Sequence, residues 1–227
     1  MKFVIFDIDG TLTNTKKVDD KCYLKAFEQT FDMDIRNQKW TDLKNVTDWG
    51  ITEEIIQREK RRQPYKSEFE VLVSNFVANL QKEKKKDNTQ FDEVKGAKKF
   101  FNELRKIENF NLGIATGSWE KSAKLKLDAI GIELNGICFS NSDYYKSREA
   151  ITQHVINQLK IKTQISPEQI IYFGDGEWDF KTCNNLGIKF IGIDIEGDGK
   201  LNELGAKTVF RNYLNKEQII EEIVRAI

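Results

Sequence analysis

The chain has 227 residues, of which 36 are acidic and 36 are basic. Because these charges balance, no overall field would attract nucleic acid or an anionic membrane surface, and we expect neither as a partner. No apolar run approaches the roughly 20 residues of a membrane span. The length is ample for a substantial buried core. Length and composition together therefore predict a globular protein that folds without help from a partner.

The cysteines and the N-terminal segment bear on the cellular compartment that we expect for the protein. Cys22, Cys138 and Cys183 are widely separated, which does not suit a zinc site or a disulfide framework. The segment MKFVIFDIDG has a short apolar run followed at once by acidic residues, which is typical of a strand rather than a signal peptide. We therefore expect a cytoplasmic protein.

The first predicted element is a strand at Lys2–Phe6, and a long helical segment follows it. Within this segment, Thr52–Arg61 and Ser67–Gln81 have the pattern of amphipathic helices. Thr41–Gly50 is predicted as a connecting loop, and Lys82–Asn88 as a solvated linker. This interval lacks the strands of a βαβ unit, which favours a small α-helical domain inserted after the first strand.

The rest of the chain alternates short apolar runs with amphipathic stretches. Four more strands are predicted, at Asn111–Ala115, Gly136–Phe139, Gln169–Phe173 and Lys189–Ile193. Three helices are predicted, at Ser118–Ile130, Ser147–Lys160 and Glu177–Leu186. Apolar strands joined by helices indicate an α/β fold with a doubly wound, Rossmann-like parallel sheet. We expect residues 1–13 and 89–227 to form this core and residues 14–88 to form an inserted α-helical cap domain.

Three of the predicted strands end in polar segments, which read FDIDGT, ATGS and FGDGEWD. The carboxyl ends of parallel strands meet at one edge of a sheet, and ligands bind there. We therefore expect the following side chains to gather at that edge: Asp7, Asp9, Thr116, Asp175 and Asp179. Four carboxylates so close together would repel one another strongly without a bound cation. An oxygen-rich site of this kind suits Mg²⁺.

These residue types suggest phosphoryl chemistry. Asp7, at the rigid end of a strand, can attack phosphorus once cations neutralise the phosphoryl oxygens. Asp9 projects to the same side, where it could protonate a leaving oxygen and then activate water. Gly10 permits a sharp turn that brings backbone N–H groups toward a phosphate. Thr116 can donate a hydrogen bond to a phosphoryl oxygen, and Ser118 is expected to cap the helix that follows.

FDIDGTLT, ATGS and FGDGEWD, in this order, resemble the first, second and fourth motifs of the haloacid dehalogenase-like hydrolase superfamily. The helical insert stands where that superfamily carries its C1-type cap, as in phosphoglycolate phosphatase-like and β-phosphoglucomutase-like members. The resemblance implies Asp7 as the nucleophile and Asp9 as the general acid/base. It also implies Mg²⁺ bound by Asp7, the backbone carbonyl of Asp9, and Asp175. Asp179 would support this site directly or through water.

The third motif of the superfamily needs a Lys or Arg at the start of the helix before the last motif. Arg148 has the usual basic-x-x-Ile spacing, and Ser147 before it is a good N-cap candidate. Lys146 is the competing choice. A planar guanidinium can hold phosphate at two points, which favours Arg148 as the catalytic cation.

Six residues are expected to contact the substrate: Gly10, Thr11, Gly117, Lys146, Thr47 and Asp48. Thr47 and Asp48 lie beside Trp49 in the cap, where the superfamily often places a threonine–aspartate loop over the active site. The alternative is a helix-capping turn with Trp49 packed inside the cap.

The resemblance implies an enzyme that hydrolyses a small phosphorylated metabolite with Mg²⁺. Two alternatives remain at this point, a sugar-phosphate mutase of the same superfamily and an inactive protein that binds phosphorylated ligands. The oligomeric state is open between a monomer and a weak homodimer.

Overall fold

The computed structural model describes residues 1–160 and 166–225. Its strands are β1 (Lys2–Phe6), β2 (Phe110–Ala115), β3 (Cys138–Ser140), β4 (Ile170–Gly174), β5 (Lys189–Ile193) and β6 (Val209–Phe210). They form one parallel sheet in the order β3-β2-β1-β4-β5-β6. The chain therefore extends the sheet in both directions from β1, which confirms the doubly wound α/β fold and places a ligand crevice beyond the carboxyl end of β1.

The helices of the described residues cover the sheet and fill the insert. They are α1 (Lys16–Phe31), α2 (Asp48–Lys60), α3 (Lys66–Lys86), α4 (Ala97–Leu104), α5 (Glu120–Ile130), α6 (Arg148–Lys160), α7 (Glu177–Leu186), α8 (Lys200–Glu203) and α9 (Lys216–Arg225). Short 3₁₀ helices lie at Trp40–Asp42, Asn88–Phe91 and Pro167–Gln169. Within the described ranges, no helix is long and apolar enough to cross a membrane.

The central strand β1 is buried along its whole length because helices cover both faces of the sheet. Val4 and Phe6 join the apolar cluster that includes side chains of α4, α5 and α9. Phe3 and Ile5 point to the other face and join the cluster formed with α6 and α7. Burying each such side chain contributes roughly 1.5–3 kcal/mol. The carboxyl end of β1 is therefore a rigid support for the residues that follow it.

Helices α1, α2 and α3, which follow β1, have an apolar cluster of their own, and they form the inserted cap. Tyr23 and Phe27 of α1 pack with Phe76 of α3 at its centre. Trp119, just before α5 of the core, also belongs to this cluster, and its ring stacks on Tyr23 with the centroids 6.0 Å apart. The cap is therefore packed directly against the core beside the second motif.

Two predictions for the insert are wrong in their boundaries. Helix α2 begins at Asp48 rather than Thr52, because the Thr47 side chain accepts the N–H of Gly50 and caps the helix early. The predicted loop therefore ends before Gly50. The predicted linker Lys82–Asn88 is instead mostly helix, since α3 runs to Lys86. Lysines favour helical structure and stabilise its C-terminal end, so this charged run extends the helix.

In the core, β3 begins two residues later than the predicted Gly136, which has a left-handed φ of +77°. Helices α1, α4, α8 and α9 and the two-residue strand β6 were not predicted individually.

Candidate active site

Asp7 follows the last residue of β1 and is only 2% exposed. Its N–H donates to the carbonyl of Phe173 in the neighbouring strand β4 at 2.9 Å, which fixes the backbone of Asp7 against that strand. Oδ1 of Asp7 lies 3.2 Å from Nη1 of Arg148, in an ion pair without hydrogen-bond geometry. Burial raises the pKa of Asp7 to about 8, although Arg148 opposes the shift. Since Oδ1 accepts no hydrogen bond from the described residues, it is available to an incoming group.

Asp7, Asp175 and Asp179 each place one carboxylate oxygen within 4.8 Å of the others. Gly10 makes this grouping possible: its φ is +76°, and a Cβ there would lie 2.2 Å from Oδ2 of Asp175. Burial raises the pKa of Asp175 to about 6, against the opposing charge of Lys16. Closely spaced carboxylate oxygens and the unpartnered Oδ1 of Asp7 are a donor set that suits Mg²⁺. The residues present therefore fit the predicted ion.

Asp179 is fully buried and its oxygens already have partners. Oδ1 accepts hydrogen bonds from Nη1 of Arg148 at 2.7 Å and from the hydroxyl of Tyr172 at 3.2 Å. Oδ2 accepts the N–H of Gly176 at 3.1 Å. Asp179 thus holds Arg148 and the loop after β4 in place, in addition to its position beside the other two acids.

Of the two cations considered for the third motif, the structure brings Arg148 to Asp7. Nε of Arg148 also donates to the carbonyl of Val46 in the cap at 3.0 Å. Lys146 instead forms an exposed ion pair with Glu53 at 3.0 Å. The side chain of Ser147 accepts an N–H of α6, which begins at Arg148, so Ser147 has the predicted capping role.

The carboxylate of Asp9 lies outside the group formed by the other three acids. Oδ1 accepts a hydrogen bond from Oγ1 of Thr15 at 2.5 Å, and Oδ2 accepts one from Oγ of Ser118 at 3.0 Å. Nζ of Lys126 donates to the same Oδ2 at 2.5 Å. Burial opposes the charge on Asp9, but Lys126 and these hydrogen bonds outweigh it and lower the pKa of Asp9.

The first-motif loop uses its own N–H groups. Gly10 donates to the carbonyl of Thr13 at 2.7 Å, and Thr11 donates to that of Ile8 at 3.2 Å. These two N–H groups therefore stabilise the turn itself, and the expectation that the Gly10 turn brings backbone N–H groups toward a phosphate stays a prediction. Thr11 is fully buried, and its hydroxyl has no hydrogen-bond partner among the described residues.

In the second motif, the hydroxyl oxygen of Thr116 accepts the N–H of Ser118 at 3.2 Å. Its own proton has no acceptor among the described residues and can be donated to a ligand. Gly117 lies against Arg148, since a Cβ on Gly117 would come within 2.8 Å of Nη2. The prediction that Ser118 caps a helix is wrong, because the N-cap of α5 is Trp119.

A cavity of about 70 Å³ lies between the core and the cap at this edge of the sheet. Seven residues predicted for the site line it: Asp7, Asp9, Thr47, Asp48, Gly117, Arg148 and Asp175. A larger cavity of about 440 Å³ adjoins it and shares the residues Lys16, Trp40, Asp175 and Trp178. These seven residues thus line a partly open space suited to a small group, with a wider space beside it.

Residues 4–193 match the family model described as haloacid dehalogenase-like hydrolase. The chain belongs to this family. The expected superfamily and the expectation of an enzyme are thereby confirmed.

Solved structures of low sequence identity share the fold of this hydrolase. A hydrolase from Pseudomonas syringae has a TM-score of 0.73 and 20% identity, over 98% of this chain and 99% of that one. β-Phosphoglucomutase from Clostridium difficile has a TM-score of 0.71 and 19% identity, over 99% and 98%. CbbY from Rhodobacter sphaeroides, in complex with phosphate, has a TM-score of 0.67 and 17% identity, over 94% and 95%. No curated protein matches the chain.

In this hydrolase, the cap residues Thr47 and Asp48 connect the cap to the core. Oγ1 of Thr47 donates to the carbonyl of Lys146 at 2.8 Å. The N–H of Asp48 donates to the carbonyl of Gly117 at 2.8 Å, and its Oδ2 accepts the N–H of Trp119 at 2.9 Å. Burial raises the pKa of Asp48 to about 7. Both residues therefore secure the cap while lining the cavity, so the two readings of this segment are compatible.

The motifs of this hydrolase did not identify Lys126 or its partner Asp19. Lys126 is fully buried and Asp19 belongs to cap helix α1, at 2.7 Å from Nζ of Lys126. The signal for Lys126 was present in α5. It lies within the apolar stripe that includes Ala123, Leu127 and Ile130, where a lysine needs a buried partner.

Proposed function

We propose that this hydrolase is a Mg²⁺-dependent phosphatase that acts on a small phosphate monoester through an aspartyl-phosphate on Asp7. The observation that carries the proposal is the placement of the Arg148 guanidinium 3.2 Å from Oδ1 of Asp7, beside the grouped acids Asp175 and Asp179. A nucleophilic carboxylate next to a fixed cation is the arrangement that attack on an anionic phosphoryl group requires.

In the first half-reaction, an oxygen of Asp7 attacks phosphorus and the bond to the ester oxygen breaks. Arg148 holds the phosphoryl oxygens, and Thr116 donates a hydrogen bond to one of them. Asp9, carrying a proton, gives it to the leaving oxygen, so that an alcohol departs. Asp179 keeps Arg148 oriented through its 2.7 Å hydrogen bond.

In the second half-reaction, Asp9 is ionised and accepts a proton from water as the water oxygen attacks the phosphorus of the aspartyl-phosphate. The bond between phosphorus and Asp7 breaks, which releases phosphate, regenerates the Asp7 carboxylate and leaves Asp9 with the proton that it gives to the next leaving oxygen. The hydrogen bonds and the Lys126 ion pair that lower the pKa of Asp9 favour the ionised form needed here.

Mg²⁺ held by Asp7 and Asp175, with the backbone carbonyl of Asp9, would supply positive charge to the phosphoryl oxygens and favour the ionised form of Asp7. A nearby cation is needed because burial raises the pKa of Asp7, which leaves this carboxyl group protonated near neutral pH when no ion is bound.

The cap would determine the substrate. We propose residues 14–88 as the cap and residues 1–13 and 89–227 as the catalytic core. The cavity of about 70 Å³ between them, lined by Thr47 and Asp48, suits a small phosphorylated metabolite. A mutant form of CbbY from Rhodobacter sphaeroides was crystallised with xylulose-(1,5)bisphosphate, which supports the same class of ligand here.

The test measures phosphate release from a panel of small phosphate monoesters, with Mg²⁺ and with EDTA. Asp7→Asn is compared with Asp128→Asn, a matched change at an exposed position on α5. We expect release by the wild type and Asp128→Asn with Mg²⁺, and none by Asp7→Asn or with EDTA. Turnover by purified Asp7→Asn would contradict the nucleophile assignment.

The same panel separates the alternatives. An isomerised sugar phosphate without net phosphate release would indicate a mutase. Tight binding of a phosphorylated compound by folded wild-type protein, with no turnover of any ester, would indicate an inactive binding protein.

A further inference from the structure

Lys126 places a fully buried ammonium group between the core and the cap. Its Nζ donates to Oδ2 of Asp9 at 2.5 Å, to Oδ1 of Asp19 at 2.7 Å and to Oγ of Ser118 at 2.9 Å. These three acceptors use all three protons of the ammonium group. Lys126 is therefore fully satisfied and fixed in one position.

The same ammonium group separates two carboxylates that come from different parts of the fold. Asp9 follows β1 in the core, whereas Asp19 lies in cap helix α1. Without a cation between them, these mostly buried groups would repel each other, because neither has much access to water. Lys126 thus stabilises the approach of the cap to the carboxylate of Asp9.

Lys126 also helps to set the direction of the Asp9 carboxylate. Oδ2 of Asp9 is held by Lys126 and Ser118, and Oδ1 is held by Thr15 at the start of the cap. Rotation of the carboxylate would break hydrogen bonds on both oxygens. Lys126 does not line the cavity, so it can act on a bound ligand only through its three partners Asp9, Asp19 and Ser118, which do line it.

Two cationic side chains therefore lie against different carboxylates of the site. Arg148 lies against Asp7, where the phosphoryl group would be held, and Lys126 lies against Asp9, where proton transfer would occur. We infer that Lys126 is a positioning residue that orients Asp9 for proton transfer and couples this orientation to the placement of cap helix α1. This inference rests on the proposed phosphatase function.

The test uses Lys126→Met and Lys126→Gln, which have nearly the same size but differ in their ability to donate a hydrogen bond to Asp9. Lys124→Met is the matched control, because Lys124 is an exposed lysine on the same helix that pairs with Glu120. The variants are purified as full chains, circular dichroism checks their folding, and kcat and KM are measured with Mg²⁺ on the best ester of the panel.

We expect Lys126→Met to lower kcat about 100-fold with KM within about threefold of the wild-type value, as for a misplaced catalytic group. Lys126→Gln should lower kcat only about tenfold, because its amide N–H can still hold Asp9. Lys124→Met should match the wild type. A change in packing alone would affect the Met and Gln variants equally and would not separate kcat from KM.

A folded Lys126→Met variant with kcat within twofold of wild type would overturn the inference, as would equal losses in the Met and Gln variants. If Lys126→Met does not fold, Lys126→Gln decides: wild-type kcat overturns the inference, and a tenfold loss at constant KM supports it. Wild-type turnover with no effect at Lys126 would reject the positioning role alone. Failure of the wild type to release phosphate would reject both proposals.

Discussion

Nη1 of Arg148 lies 3.2 Å from Oδ1 of Asp7, although Asp7 follows the first strand of the chain and Arg148 begins the much later helix α6. The same nitrogen donates to Oδ1 of Asp179 at 2.7 Å. One guanidinium nitrogen is thus shared between two carboxylates, through a hydrogen bond to Asp179 and an ion pair with Asp7. This arrangement leaves Arg148 oriented toward any group that approaches Asp7.

The first prediction compares Arg148 with Lys146. Arg148→Met should lower kcat/KM by about 10²–10³, because it removes a fixed charge from the phosphoryl site. Lys146→Met should change kcat/KM by less than about threefold, since Lys146 pairs with Glu53 at the surface. Steady-state kinetics on the best ester of the panel measures both. A larger loss in the Lys146 variant would show that Lys146 is the cation of the third motif.

The second prediction concerns Mg²⁺ binding by Asp175. Asp175→Asn should weaken Mg²⁺ binding at least about tenfold, because it removes one negative oxygen from the three-acid group. Isothermal titration calorimetry measures the Kd without any need for turnover. Asp198→Asn, at an exposed acid paired with Lys200, is the control and should bind Mg²⁺ like the wild type. Equal affinities in the wild type and Asp175→Asn would contradict the metal assignment.

The third prediction follows from the pKa of Asp48, which burial raises from 3.8 to about 7. Between these two values the folded protein binds more protons than the unfolded chain. The contribution of Asp48 to the free energy of unfolding should therefore fall as the pH rises through this window, by at most about 1.4 kcal/mol per pH unit.

Asp48→Asn isolates this effect, because Asn cannot titrate but can still accept the N–H of Trp119. Urea unfolding of both proteins, at steps between about pH 4 and about pH 8, gives the difference in free energy. The wild type should lose stability relative to Asp48→Asn as the pH rises. A difference that stays constant with pH would show that Asp48 does not titrate in this range.

The fourth prediction separates two roles of Thr47. Its hydroxyl joins the cap to the carbonyl of Lys146 and also caps α2 through the N–H of Gly50. Thr47→Val should therefore lower the free energy of unfolding by about 1–2 kcal/mol. Thr47→Ser keeps the hydroxyl and should lose much less. If Thr47→Val instead raises KM and leaves the stability unchanged, its main role is substrate contact.

The core strands were readable from sequence because they are buried on both faces. The bounds of β1 and β5 agree with the prediction, and β2 and β4 differ by one residue at the ends. The cap was predicted as a helical region but not in detail. Helix α1 buries only part of its surface within a highly charged sequence, so its apolar pattern is weak. The short edge strand β6 has too few residues to give a pattern.

The candidate site could also be predicted from the sequence only in part. Asp7 and Asp175 could be expected to meet because each directly follows a central parallel strand, and strand order alone brings such ends together. No strand order or motif predicts that Lys126 and Asp19 meet. Their contact depends on how α1 of the cap packs against α5 of the core.

The sequence by itself determined the family, the parallel sheet and the group of acids at its edge, since local patterns and strand ends specify these features. The tertiary structure alone decided that Arg148 rather than Lys146 reaches Asp7, and that Lys126 lies between Asp9 and Asp19. The physical reason is that the sequence shows where a charged side chain stands but not which group it pairs with. The partner depends on which surfaces the cap and the core bury against each other.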